Sequence, residues 1–419
     1  MVKPVASSTG SDISLAGKSF FAKALDQIKY ELPVFILLLL LFLPQNLRVT
    51  NDIYSMLHIF DYRIGFAPRL LIGSIMSLFT DVKTQAFMES FFGIVFILEA
   101  LLFAFVAGRI IRKANGEIKE TTIFFVVLFF AVPYSLGVLY PRLLSLDRFL
   151  VLFTLLALMV MNKKGFKWLV PTLIAAGLAV YHGFAFTYMP AIALLLIYEV
   201  VKNKKSTQSI LLCATGFVTM AAFSAYFFLF DGLNNYKTVD ELIAYAAGKT
   251  DLQFVGYFKE VVQNLLLITP SDFYWQLTAP LEGYKDISRE LVAMLYLSPL
   301  IAVLFSVWRN AIKSTSNKVE KFVFVLCVLA PVARFPMFIL STNFYRGRTS
   351  VIVVQFFLLF YFLYHQNPAV LSAVKKVGDF FKKNYLLFLA MVIYFAMPFL
   401  AFRTGEMWNA LTVALAGNL

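Results

Sequence analysis

The chain has 419 residues, 60% of them hydrophobic, with 46 phenylalanines and a mean hydropathy of +0.77. That composition excludes an ordinary soluble domain and places the chain among polytopic helical membrane proteins. In a soluble protein the net charge of +13 would point to nucleic acid; here the excess sits in alternate short loops, which is a topology signal, and nucleic acid is excluded as a partner.

Residues 1–32 read as a cytoplasmic tail. They are polar and mixed in charge, without the apolar core and small-residue cleavage site of a signal peptide, and 15–30 reads as an amphipathic helix on the inner leaflet. Hydrophobic spans follow at about 33–47, 87–111, 121–140, 149–162, 168–181, 183–201, 209–230, 290–308, 322–341, 350–366 and 385–402. The stretch 168–201 is too long for one helix and Lys-rich at both ends, so it divides into two short helices meeting near His182 and Gly183. The expected fold is therefore all-α: one integral membrane domain over 1–419 with about eleven transmembrane helices. Cys213 and Cys327 lie within spans and form no disulfide framework.

Two long segments join spans on the same side, 48–86 and 231–289. Both are expected to be structured, the first with an interfacial helix over 65–79 and the second with one over 255–268. One set of loops is almost purely basic, as in Arg109, Arg112 and Lys113, Lys163 and Lys164, Lys202 to Lys205, and Lys375 to Lys383. Basic loops stay in the cytoplasm, so the N-terminus is cytoplasmic and the long segments face outward.

The outward loops mix acids, arginines and histidine. Asp52, Asp61, Arg63 and Arg69 crowd the first; Arg142, Asp147 and Arg148 stand at the start of a later span. A carboxylate there suits a general base, and guanidinium groups suit a phosphate, which they grip bidentately. The alternatives stay open: Asp–Arg bridges that merely tie the first loop, and Asp147 as a helix cap. His182 either bonds a broken-helix carbonyl or meets substrate, and Arg334, between two prolines in a span, either snorkels or marks a site. Arg346 and Arg348 form a small basic loop against the charge rule, which points to phosphate or lipid headgroups. Glu99 and Glu199 read as isolated, which argues against a proton-relay transporter. There is no HExxH, Walker loop, GxSxG or Cys/His cluster, so no cofactor is expected; a carboxylate-bound divalent cation stays open but is not indicated.

These features resemble the membrane glycosyltransferases of the GT-C superfamily. The resemblance rests on an acidic loop after the first helix, GFAPRLLIGSIMSLF, PRLLSLDRFLVLFTLLAL, AAGLAVYHGFAFTYMPAIALLL and NFYRGRTSVIVV. The stretch from Arg142 to His182 is also similar to O-antigen and exopolysaccharide polymerases. The first resemblance implies a bacterial cytoplasmic-membrane enzyme that takes sugar from a polyprenyl-phosphate or -pyrophosphate donor at the outer face and passes it to a glycan or lipid-linked acceptor. Asp61, Asp52 or Asp147 would then serve as base, and Arg63, Arg69, Arg142, Arg148, His182, Arg334, Arg346 and Arg348 would hold phosphate. The second implies a polymerase or ligase that relies more on arginines. A flippase or transporter is the alternative of a different class.

Overall fold

The computed structural model describes residues 28–46, 53–136, 145–203, 206–229, 238–252, 258, 259, 262, 284–336 and 344–404. Among these residues every regular element is a helix: α1 (Glu31–Asn46), α2 (Ile53–Leu57), α3 (Leu71–Met76), α4 (Gln85–Lys113), α5 (Gly116–Ala131), α6 (Pro133–Leu136), α7 (Leu146–Val160), α8 (Leu169–Val180), α9 (Phe184–Thr187), α10 (Met189–Lys202), α11 (Thr207–Leu229), α12 (Val239–Ala247), α13 (Tyr284–Ser314), α14 (Lys318–Leu329), α15 (Phe344–Tyr364), α16 (Pro368–Lys383) and α17 (Tyr385–Thr404). The expected tail helix and most of 255–268 lie outside the described residues.

Each expected span contains a helix, but the helices differ greatly in length. Four described helices are long and apolar enough to cross a bilayer alone, or five if α16 and α17, bent by 102°, count as one. Eleven full crossings are therefore more than the structure supports. α7, α8, α10 and α14 have 15, 12, 14 and 12 residues. A bilayer crossing takes about 20 residues. The breaks have local causes. Pro133 ends α5, because the residue before a proline is driven out of the helical region, and Val132 is extended at ψ 120. The turn at Tyr181 is likewise extended at φ −161.

α15 is the centre. It is buried along almost its whole length and packs against α4, α6, α7, α9, α10, α13, α14 and α16. Two of its polar side chains, Gln355 and Tyr361, bond to other helices inside the bundle, as groups sealed from water favour. Trp308 Nε1 donates to Gln355 Oε1 at 2.7 Å, and Gln355 Nε2 donates to the Cys327 carbonyl at 2.7 Å, joining α13, α15 and α14. Tyr361 donates to Glu199 at 2.6 Å and lies 2.5 Å from the Asn162 amide, joining α15 to α10 and the end of α7. Glu199 is thus not isolated. Around this centre α4, α11, α13 and α17 expose apolar side chains such as Leu98, Val218, Leu295 and Leu386, the surface expected of helices facing lipid.

α16 is amphipathic. Val370, Val374, Val377 and Phe381 face the bundle, while Lys375 and Lys382 pair with Glu117 and Glu120 on α5. A Cβ on Gly378 would meet Thr121 Oγ1 at 1.9 Å, so only glycine allows this close crossing of α16 over α5.

Glu99 is also partnered, correcting the reading from sequence. Arg148 donates to it through Nε at 3.0 Å and Nη2 at 2.5 Å, with both side chains almost fully buried between α4 and α7. Breaking such a pair from one side leaves a buried charge and costs about 3–5 kcal/mol, whereas replacing both members is often close to neutral. Accordingly, Arg148→Met should lower the thermal midpoint in detergent, and Glu99→Leu/Arg148→Met should restore most of it.

Candidate functional site

One end of the bundle carries the lysine loops, with Lys113 bonded to the Tyr364 carbonyl. The other carries the acids, arginines and broken helices. At that mixed-charge end the two long segments clasp each other. The backbone N–H of Lys83 donates to the Lys249 carbonyl at 2.7 Å, Thr250 Oγ1 donates to the Lys83 carbonyl at 2.9 Å, and Gln85 N donates to Asp251 Oδ1 at 2.8 Å. α12 beside them starts with a capping box in which Thr238 and Glu241 satisfy each other's backbone N–H groups.

The clasp closes on Asp61, which is 1% exposed. Its Oδ1 accepts from Arg63 N at 3.0 Å, Arg63 Nε at 2.9 Å and Tyr245 Oη at 2.9 Å. Its Oδ2 accepts from Arg63 Nη2 at 2.6 Å, Ser77 Oγ at 2.7 Å and Lys83 Nζ at 3.2 Å. Burial alone would raise the pKa of this carboxyl, but the hydrogen bonds from Arg63 and Ser77 and the charge of Lys83 outweigh it and hold Asp61 well below the usual carboxylate range. Lys83, 0% exposed, also donates to the Ile59 carbonyl at 2.6 Å, and burial pushes its pKa down to about 8. Arg63 extends the network outward to Asp81 at 2.6 Å.

The interfacial helix expected over 65–79 is shorter than its sequence implied, only Leu71–Met76. Pro68 disfavours helix at Ala67, and Arg69 takes φ +75, a left-handed conformation that costs a non-glycine residue about 1–2 kcal/mol. Tertiary contacts hold it there: Arg69 N donates to the Ala179 carbonyl at 2.9 Å, and its guanidinium lies over the Tyr181 ring at 5.3 Å. α3 is pressed so closely on the chain before Asp61 that a Cβ on Gly73 would meet the Phe60 carbonyl oxygen at 1.8 Å.

Next to Tyr181, His182 packs on Phe228, and the chain continues into α9. α9 lies against the turn Ala330–Arg334 and against α15. Arg334 and Arg348 are 3% and 4% exposed there, and Arg348 sits over the Tyr134 ring of α6 at 4.8 Å. Short elements that touch in turn, the segment of Asp61 and Arg69, the turn at Tyr181 and His182, and α9, thus lead to the two arginines.

Asp147 is buried in the first turn of α7, but the cap is Ser145, whose Oγ accepts from Asp147 N at 3.3 Å. Arg148 is engaged with Glu99. Asp52 and Arg142 lie outside the described residues, and Arg346 is described only as a position in the first turn of α15. Among the described residues no three His, Cys, Asp or Glu side chains gather as a metal site. Sequence reasoning missed Lys83, Ser77 and Tyr245. For Lys83 a signal existed, since a lone lysine in a loop expected to face outward breaks the charge rule.

Two pH limbs follow from the Asp61–Lys83 pair. The depressed Asp61 pKa contributes stability above the unfolded carboxyl value of 3.8, which is lost as pH falls further. Between about 8 and 10.5 the unfolded chain binds the Lys83 proton that the folded chain releases, so that group's contribution rises with pH. Thermal scans from pH 3 to 10 should show both limbs. Asp61→Asn should flatten the acid limb and destabilise by about 3–5 kcal/mol near neutrality, by leaving Lys83 buried without its carboxylate. Lys83→Met should remove the alkaline rise. In comparisons with family models, curated proteins and solved structures, nothing matches this chain.

Proposed function

We propose that the chain is a membrane-embedded glycosyltransferase that uses a polyprenyl-phosphate or -pyrophosphate sugar at the mixed-charge end, which faces outward with the lysine loops in the cytoplasm. The observation that carries this reading is the pair of nearly buried arginines, Arg334 and Arg348, where α6, α9, α15 and the Ala330–Arg334 turn converge. Arginines within apolar spans are costly and usually mark a functional path. Guanidinium groups also match the oxygens of a phosphate.

In the reaction, the acceptor hydroxyl oxygen forms a bond to the anomeric carbon as the bond from that carbon to the phosphate oxygen breaks. The electron pair leaves on the phosphate, whose growing charge Arg334 and Arg348 stabilise. The hydroxyl proton passes to a carboxylate, with inversion at carbon. Asp61 is poorly suited to receive it: six hydrogen bonds occupy its two oxygens, and a base works best with a pKa near the operating pH. Asp61 instead organises the two outer segments, which leaves Asp147 and Asp52 as candidate bases. His182 and Arg69, next to each other through Tyr181, contribute to substrate binding.

The occupied state of Asp61 also favours a second reading, a polymerase or ligase that joins glycans from a pyrophosphate carrier and depends on arginines without an aspartate base. The test is sugar transfer in nanodiscs across a panel of polyprenyl-phosphate and -pyrophosphate sugars. Arg334→Ala and Arg348→Ala should each lower turnover by about 10²–10³-fold. Loss of about 10²–10⁴-fold in Asp147→Ala or Asp52→Ala supports the transferase with a carboxylate base. Tolerance of both supports the polymerase or ligase, and no transfer from any carrier sinks both readings in favour of a transporter.

A further inference from the structure

The opposite, lysine-rich end holds two adjoining hollows that the proposed transfer chemistry does not use. The first is an apolar cavity of about 200 Å³ between α4, α5, α7 and α15, walled by side chains such as Phe103, Phe129, Leu155, Phe357 and Phe360. An apolar cavity of about 150 Å³ already stays dry and accepts benzene, so this one is suited to hydrocarbon and not to water. The second is an open concavity of about 720 Å³ that carries Lys29, Arg109, Arg112 and Lys119, with Glu31 as the one acid among its described lining residues. Glu31 is bonded to Arg112, and among the described lining residues no other acid faces Arg109 and Lys119.

Phe105 and Arg109 line both hollows. Arg109 is exposed, with its guanidinium 4.9 Å from the centre of the Phe105 ring, and Phe105 itself is 42% exposed on the outer surface of α4. An apolar slot and a cationic basin therefore share one doorway on a lipid-facing helix. The depth fits this arrangement. From Arg109 to Phe103 along α4 is about 9 Å, and from Tyr364 to Phe357 along α15 about 10 Å, at 1.5 Å per residue. There the slot ends on the ring cluster of Phe103, Phe129 and Phe357, whose centroids are 6.2 to 6.4 Å apart. It stops short of the Glu99–Arg148 pair and does not reach Arg334 or Arg348.

We infer that these joined hollows bind one anionic glycerophospholipid from the adjacent leaflet, its phosphate headgroup among Lys29, Arg109 and Lys119 and part of one acyl chain in the slot. Charge complementarity selects the occupant. Basic pockets between membrane helices bind anionic headgroups, each nearby cation contributing about fivefold in affinity, while a zwitterionic lipid offers no net charge to match these cations. Ring contacts hold the basin's cations in place: Lys119 and Lys29 lie 4.8 and 5.4 Å from the centre of the Tyr30 ring. The inference is independent of the glycosyltransferase reading, since it concerns the other end of the bundle and needs no catalysis.

The test is thermal unfolding of the full chain in nanodiscs of phosphatidylcholine with graded phosphatidylglycerol, since a ligand that binds the folded state raises the midpoint with occupancy. The wild type should gain a saturable rise. Arg109→Ala/Lys119→Ala should need about 25-fold more phosphatidylglycerol to reach it. Val106→Trp, which fills the slot and leaves the basin intact, should abolish saturation while keeping wild-type helicity and a wild-type midpoint in pure phosphatidylcholine. Three outcomes overturn the proposal: equal stabilisation of wild type and both variants, which means diffuse surface charge alone; no stabilisation of the wild type; or saturable stabilisation by a polyprenyl phosphate but not by phosphatidylglycerol.

Discussion

A helix enclosed on all sides must place every polar side chain against another part of the protein, because neither water nor lipid headgroups reach it. Over its middle, α15 is close to such a helix, and Gln355 and Tyr361 become joints of the bundle. Gln355 locks α13 to α14 through Trp308 and the Cys327 carbonyl, and Tyr361 locks α10 and the end of α7 through Glu199 and Asn162. In a purely apolar seam, helices can slide with little change in energy, since lipid tails are as apolar as leucine. Fixed hydrogen bonds remove that freedom, and with α15 held in register its two ends become defined places. Arg348 stands at one end over Tyr134, and Phe357 and Phe360 wall the cavity at the other.

At the mixed-charge end the same demand for internal partners falls on Asp61. A carboxylate at 1% exposure is stable only if its lone pairs are used, and donors from three separate stretches supply them: Arg63 beside it, Ser77 and Lys83 further along the first segment, and Tyr245 on α12. The result is rigidity at the expense of basicity. Each bond that fixes the carboxylate also stabilises its charged form, so the feature that lets Asp61 join two long segments makes it reluctant to accept a proton. The strained backbone of Arg69, the close approach at Gly73 and the clasp at Lys83 all lie within this segment, as expected where a surface loop is held in one conformation.

Much of this was legible in the sequence because topology is written in charge. The alternation of lysine loops with mixed loops locates both ends of the bundle and places Asp61, His182, Arg334 and Arg348 at the same one. The division of 168–201 near His182 follows from its length and from the lysines at both of its ends. Pairings across helices were not legible. Glu99 and Arg148 are 49 positions apart, and nothing local to either says that α4 and α7 meet at that height. Lys83 was not singled out from sequence, since the backbone that clasps it, at Lys249 and Thr250, lies more than 150 residues away. The overlong estimate for α3 has a different origin. The apolar spacing over 65–79 is helical, but the backbone at Pro68 and Arg69 overrules it, and the carbonyl of Ala179 that rewards this departure belongs to another helix.

The buried pair between α4 and α7 bears on how the two ends relate. Glu99 lies one turn beyond Phe103, where the apolar slot stops, and Arg148 lies about two turns beyond Leu155 on the facing helix. Hydrocarbon entering from the lysine-rich end therefore meets first a plug of aromatic rings and then an ion pair that excludes it. An isoprenoid carrier serving Arg334 and Arg348 would have to approach from the opposite leaflet. The two ligands would share α15 without sharing space. A phospholipid seated against Phe357 and Phe360 would act on the distant arginines by steadying the register of α15, not by competing for their substrate. Occupancy at one end would then change the stability of the frame that positions the other, a linkage that needs no moving part.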